Sequence, residues 1–327
     1  MTGADKGGRG GTIRLMSCVG VDLELALLPF FLDHHLGLGV RPDAVHLILN
    51  TPDAATPNLD RADAVCRDRG VAAGGRWIGP YTSDAMWERR RDLQARHVRP
   101  GDWVMNADVD EMHRYPADPW SVVAGLESLG ARSVQGVMVD RLAPDGRLPA
   151  VEAGRPLAEQ FPIRADVALS VIGSGKAHGV DGTLKLMLHR HDVLPQRGGH
   201  TALGGERAGR YATRLRLGGF PHVARPDWRA TFPFQVDHYK WTSTLRDSLA
   251  RRLSTPGVSP AGKEYGGKIA AHVARHDGVR LADATVFDGA DPPGADDWLD
   301  VLRRLRRQSF GWRVRGEVMR RLGTLRR

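Results

Sequence analysis

The chain has 327 residues, 41% of them hydrophobic and 26% charged, enough to bury one large core or two modest ones and too apolar for a chain that is mainly disordered. Forty-seven Lys and Arg against 38 Asp and Glu give a net charge of +9, which admits nucleic acid, an anionic membrane surface or a phosphate-rich ligand as partner without choosing among them. Cys18 and Cys66 stand far apart and in no metal-ligand spacing, so the cysteines support neither a disulfide framework nor a zinc site.

The first eleven residues carry two basic side chains and no apolar stretch, the composition of a flexible lead-in rather than a secretory signal. The longest apolar run, Leu25 to Leu32, falls well short of the roughly 20 residues a spanning helix needs. The expected location is therefore the cytoplasm, with association at the inner membrane face left open.

From Thr12, TIRLMSCV has strand character, and LELALLPFFLDHHLGLGV repeats its apolar residues at helical spacing up to a Gly39 stop. AVHLILN (Ala44 to Asn50) predicts a second strand, Thr51 to Asn58 a loop, and LDRADAVCRDRG a short helix closed by Gly70. RWIG predicts a third strand, SDAMWERRRDLQARHV a helix capped by Ser83 or Asp84, and DWVMNADVDE a fourth strand. Strands alternating with helices in this order predict an α/β fold, a mostly parallel sheet covered on both faces. Beyond Pro116 come a helix at WSVVAGLESLG, a strand at SVQGVMVDRLA and a Gly-rich, His-bearing region to about Gly219. Helices follow near Thr242 and over GKEYGGKIAAHVARH, then a loop from Asp288 to Asp297.

The polarity changes abruptly at the end of the fourth strand, where Val104 and Met105 give way to Asn106, Ala107, Asp108, Val109, Asp110 and Glu111. Alternation along an extended chain would put Asp108 and Asp110 on one side, able to converge on a hard cation such as Mg2+ or Mn2+. Two carboxylates suffice for such an ion only when a diphosphate completes its shell, so the pattern implies a nucleotide-type ligand at the sheet edge where α/β folds bind ligands. An acidic turn facing solvent is the plain alternative.

LPFFLDHHLGLGV, AVHLILN with its Asn/Asp-bearing loop and WVMNADVDE, followed by DRLAPDG, LKLMLHRHDV, GGHTAL and DHYKW, resemble the nucleotide-sugar-dependent glycosyltransferases of family 2 over roughly Thr12 to Trp241. The resemblance implies a GT-A fold, a divalent metal bridging the donor's diphosphate, a UDP-sugar as the expected donor, and inversion at the anomeric carbon. It divides the chain into a tail (1–11), a GT-A domain (12–245) and a C-terminal helical region (246–327). By this likeness Asp108, Asp110 and His238 are the metal ligands, a packed His238 stacked near Trp241 being the alternative. Asn50 and Asp53 would bind the nucleoside, and the first strand's exit from Val19 to Asp22 would wall the base. That exit reads Val19, Gly20, Val21 where the family has Arg-Asn-Glu.

Asp84, Arg89 and Arg90 precede the acidic strand on a helix that runs beside the diphosphate in the family, where a guanidinium fork suits phosphate; a solvated arginine face is the alternative. Lys185 is a similar candidate. The base that takes the acceptor's proton is one of Asp140, Asp181, His191 or His200, with Asp140 preferred over a local Asp140–Arg141 ion pair. His34 and His35 are adjacent on a helix and read as packing or surface. GSGKAHGVDG lacks the P-loop pattern.

Two other readings stay open: a nucleotidyltransferase, which would need more glycine than CVGVDLE offers, and a basic module binding nucleic acid or membrane. No specific nucleic acid is expected, and the acceptor is undefined. Ten arginines against Asp300 and Glu317 lie between Asp300 and Arg327, so the preceding 299 residues are nearly neutral. This stretch is expected to fold back with Trp298 and Leu302 inward, or else to dock on anionic lipid.

Overall fold

The computed structural model describes residues 11–173, 180–203, 217, 220–287 and 297–308. The lead-in over 1–10, the glycine-rich stretch 174–179, the loop 288–296 and the tail beyond Gln308 lie outside the described residues.

Four strands form a parallel block: β1 (Ile13–Gly20), β2 (Val45–Thr51), β3 (Ala73–Ile78) and β4 (Trp103–Asn106), in the order β3-β2-β1-β4. Every residue of β2 is buried, as an apolar strand covered on both faces must be. The crossovers are helical. The first is split into α1 (Val21–Glu24) and α2 (Leu28–Gly37), which Pro29 enters at a position where its missing N–H costs nothing, and Gly39 leaves at φ +89. α3 (Asn58–Arg67) and α4 (Ser83–His97) make the next two. α4 is capped by Thr82, whose hydroxyl accepts from Ala85 N, and not by Ser83 or Asp84, which fall inside its first turn.

Beyond β4 the sheet changes sense. β8 (Leu184–Arg190) pairs antiparallel with β4, β6 (Ser133–Leu142) with β8, β7 (Ile163–Asp166) with β6, and the short β10 (Thr285–Val286) closes that edge. A parallel block continued by antiparallel strands, with helices on its faces, is the α/β, GT-A-like arrangement read from the sequence. A ribbon of β5 (Glu111–Arg114) and β9 (Gln235–His238) branches from it, β9 running parallel to β6. Its register sets Glu111 opposite His238, and His238 beside Asp140, in one rung.

The C-terminal helices complete the same body. Leu245 and Leu249 of the helix Leu245–Ser254, and Ile269 and Val273 of the helix Pro260–His276, pack with Leu142, Ala165, Val167 and Trp241. Residues 298–308 are helical and do fold back: Leu302 and Leu305 are buried in the main core, Trp298 packs against it, and Arg303, Arg304, Arg306 and Arg307 face outward. No described helix is long and apolar enough to cross a membrane.

Candidate active site

β4 ends at Asn106, so Asp108 and Asp110 are not strand neighbours; they sit on a turn that Glu111 N closes on Asp108 O at 3.0 Å. The turn aims the two acids at different partners. Asp108 is held between two cations: Arg90 Nη2 lies 2.5 Å from its Oδ1 and Lys185 Nζ 3.0 Å from its Oδ2. Lys185 also reaches Glu111 Oε2 at 2.8 Å, and that oxygen accepts from Asp108 N at 2.8 Å. Arg90 and Lys185 come from α4 and β8, the elements flanking β4, and both side chains are buried.

Burial alone would raise the Asp108 pKa; Lys185 and Arg90 outweigh it and hold the carboxyl well below the usual range. For Lys185 burial works against the charge, and Asp108 and Glu111 reverse it, so its pKa is raised. Glu111 is pushed up, by burial first, with Lys185 opposing and the charges of Asp108 and Asp110 adding to the rise.

Asp110 faces His238 instead, its Oδ2 3.4 Å from Nε2. The other ring nitrogen, Nδ1, lies 2.9 Å from Asp140 Oδ1. Asp140 is itself anchored by Trp241 Nε1 on Oδ1 at 2.9 Å and by Val167 N on Oδ2 at 3.0 Å. Burial would lower the His238 pKa, yet its two carboxylate neighbours raise it to about 10. Asp110 and Asp140 are both lowered, the imidazolium overcoming the cost of their burial.

Glu24 belongs to this group and was not among the expected residues. Its Oε2 accepts from Gly20 N at 2.6 Å at the exit of β1. Burial, then the negative charges of Asp110 and Asp108, raise it to about 8, so its carboxyl is mostly protonated at neutral pH. Looking for a family Arg-Asn-Glu three residues earlier hides it; the signal was a second acid, two residues after Asp22 and one turn past a buried strand.

The remaining candidates build the walls. Asp22 accepts from Thr51 Oγ1 (2.8 Å), Thr56 Oγ1 (3.1 Å) and Asn58 Nδ2 (3.2 Å), tying the β1 exit to the loop after β2. Asn50 Nδ2 donates to the carbonyls of Trp77 and Gly79, fixing the β3 exit, while Asp53 caps an exposed turn through Ala55 N. Val19 is buried in the core. Asp84 pairs with Arg197 at the surface, and Arg89 lies over the Trp77 ring, 4.2 Å from its centroid, so on this helix it is Arg90 that enters the acidic group. His200 sets its Nδ1 2.6 Å from Leu184 O; the preceding Gly199 has no room for a Cβ beside Trp87 and packs against the Lys185 stem. His35 is buried against Phe31 and His113.

Of the three expected metal ligands, Asp110 and His238 fit one divalent ion: ligands about 2.1 Å from a shared metal stand roughly 3.0–3.4 Å apart, the separation observed. The proton held between them occupies the place of the cation, and a metal there would displace it. Asp108 stands apart, both its oxygens on cations, and among the described residues these three do not gather one donor each within 4.8 Å of the others.

No protein-family model matches this sequence, and neither does any curated protein. Two solved structures of S. aureus TarS are matched: TarS 1-349, at 8% identity over 80% of this chain and 72% of that one, and TarS, at 10% over 81% and 43%, each with a TM-score of 0.31. A likeness at that level carries no argument about activity.

Proposed function

We propose that this protein is a divalent-metal-dependent glycosyltransferase that moves a hexose from a nucleoside diphosphate sugar to an acceptor hydroxyl with inversion. The observation that carries the reading is the line Asp110–His238–Asp140 beside the Arg90–Asp108–Lys185 cluster, at the carboxyl ends of β1 and β4 where the sheet changes sense and α/β folds bind ligands. Asp110 and His238 would hold Mn2+ or Mg2+. Bound there, the ion neutralises charge on the departing diphosphate. Asp140 orients the His238 ring through Nδ1, so that Nε2 is the ligating nitrogen. Arg90 and Lys185 fix Asp108 and offset the charge of the acids around the diphosphate, and the walls tied by Asp22 and Asn50 would receive the nucleoside of a UDP-sugar.

His200 is the proton acceptor in this scheme. Its Nδ1 donates to Leu184 O, the residue that precedes Lys185 on β8. As the acceptor oxygen bonds to the anomeric carbon, its proton passes to the His200 imidazole, and the electron pair of the breaking carbon–oxygen bond leaves on the diphosphate. Asp140, already the acceptor of three hydrogen bonds and held ionised by His238, is the poorer choice.

Calorimetric titration with UDP or GDP, with and without Mn2+, tests this. Metal-dependent binding that is lost in Asp110→Ala and His238→Ala, with hydrolysis of one nucleotide sugar in a donor screen, is expected. Binding to no nucleoside diphosphate, or binding indifferent to both substitutions, overturns it.

A further inference from the structure

The C-terminal helix Pro260–His276 carries His272 and His276 four residues apart, one turn, and therefore on one face. Their rings meet with centroids 4.7 Å apart. The helix stops at Asp277 in the left-handed conformation (φ 55), and the chain reverses through Gly278. Two interactions fix that reversal: Gly278 bridges to Arg147, and Val279 N donates to Gly146 O at 2.7 Å. The 3-10 turn Leu281–Asp283 follows, with Asp283 N on Arg280 O at 2.9 Å, and then β10 pairs with β7. Anchored at both ends, the segment returns Asp283 to the two histidines: Asp283 Oδ2 lies 3.9 Å from His276 Nε2, and one donor atom from each of the three residues lies within 4.8 Å of the others.

We propose that His272, His276 and Asp283 form a site for a zinc-class divalent ion that clips the chain reversal and β10 to the C-terminal helix. Two imidazoles and one carboxylate are a borderline donor set suited to Zn2+, with water in a fourth position. Zinc ligands at about 2.0–2.2 Å stand roughly 3.3–3.5 Å apart, so the three side chains close by about 1 Å through rotation about their own bonds. Two contacts give way. Arg280 N, 3.3 Å from His272 Nε2, turns to water, and the Arg280 guanidinium, 3.7 Å from Asp283 Oδ1 and mostly exposed, swings into solvent. The clip spans elements of the satellite core formed by Ile269, Val273, Val279 and Ala165, so the ion stabilises the fold and takes no part in sugar transfer.

Equilibrium dialysis of the full chain against Zn2+ alone, with thermal unfolding on the same samples, decides the matter. The expected result is one fewer zinc per chain in His272→Ala/His276→Ala than in the wild type, no loss of that zinc in Asp110→Ala, and a Tm rise with zinc that the double variant does not show. Asp283→Asn should weaken binding about tenfold or more. If the double variant proves misfolded by circular dichroism, the single change His276→Gln, at a side chain 21% exposed, replaces it, read by loss of the visible absorption of bound Co2+. Equal zinc stoichiometry and equal Tm shift in the wild type and the histidine variants, or zinc retained only at millimolar concentration, overturns the site.

Discussion

His238 presents Nδ1 to Asp140 Oδ1 at 2.9 Å and thereby turns its other nitrogen, Nε2, toward Asp110. A carboxylate behind a ligating histidine fixes ring and tautomer and raises the basicity of the ligating nitrogen. Asp140→Asn keeps the shape and removes the charge. The apparent affinity for Mn2+ is expected to fall about 10- to 100-fold, with turnover recovering at high metal. Metal titration of donor hydrolysis, with a pH profile, checks this. Unchanged metal dependence together with loss of the acidic limb of the profile would make Asp140 the base and remove the orienting role.

Lys185 is buried between Asp108 and Glu111. Breaking a buried pair from one side leaves uncompensated charge and costs about 3–5 kcal/mol. Lys185→Met is expected to lose that much in urea unfolding. Arg41→Met, which removes the exposed partner of Asp43, should stay within about 1 kcal/mol of the wild type. Similar losses in the two variants would show that the site ion pairs carry no special weight.

The alternation of apolar strands and amphipathic helices made the parallel block legible up to Asn106, because each element's period states which face it buries. The acidic residues after it were legible as types and not as geometry. Extended-chain alternation put Asp108 and Asp110 together, whereas the turn closed by Glu111 N sends one to Arg90 and Lys185 and the other to His238. Arg90 was hidden among three consecutive arginines, since helical phase alone does not say which of them points inward. Glu24 was hidden because its partners lie 86 residues on, in Asp110, and at the strand exit. The rung joining Glu111, His238 and Asp140 is set by strand pairing between residues 98 apart (Asp140 and His238) and farther (Glu111 and His238), for which local pattern holds no signal.

Two buried histidines predict how stability follows pH. Burial lowers His35 to about 3, His34 adding to the effect, and lowers His189 to about 4. Their unfolded-state value is near 6.5. Between 6.5 and the folded values the unfolded chain binds more protons, so stability is full above about pH 6.5 and falls as the pH drops. At about 1.4 kcal/mol per unit the loss amounts to several kcal/mol by pH 4. His35→Phe removes one titrating group beside Phe31, and its urea midpoint should fall less steeply between pH 7 and pH 4.5 than that of the wild type. Parallel slopes would show that other groups govern acid unfolding.

The helix at 298–308 divides its charge from its packing. Leu302 is completely buried and Leu305 nearly so, Trp298 meets Phe234 edge-on at 5.7 Å, and Arg306 Nη1 donates to Leu129 O. Gly125 leaves room for the Trp298 ring, which a Cβ there would overlap. Leu302→Ala should therefore cost about 2–5 kcal/mol, and Gly125→Val should expel the ring and destabilise the chain as well. Arg303, Arg304 and Arg307 lie outside this packing, so replacing all three by Gln should leave the urea midpoint close to that of the wild type. The same triple change should weaken salt-sensitive binding to anionic vesicles if the outward face contributes to it. A large stability loss in the triple variant, or none in Leu302→Ala, would mean that charge and not the apolar face holds this helix in place.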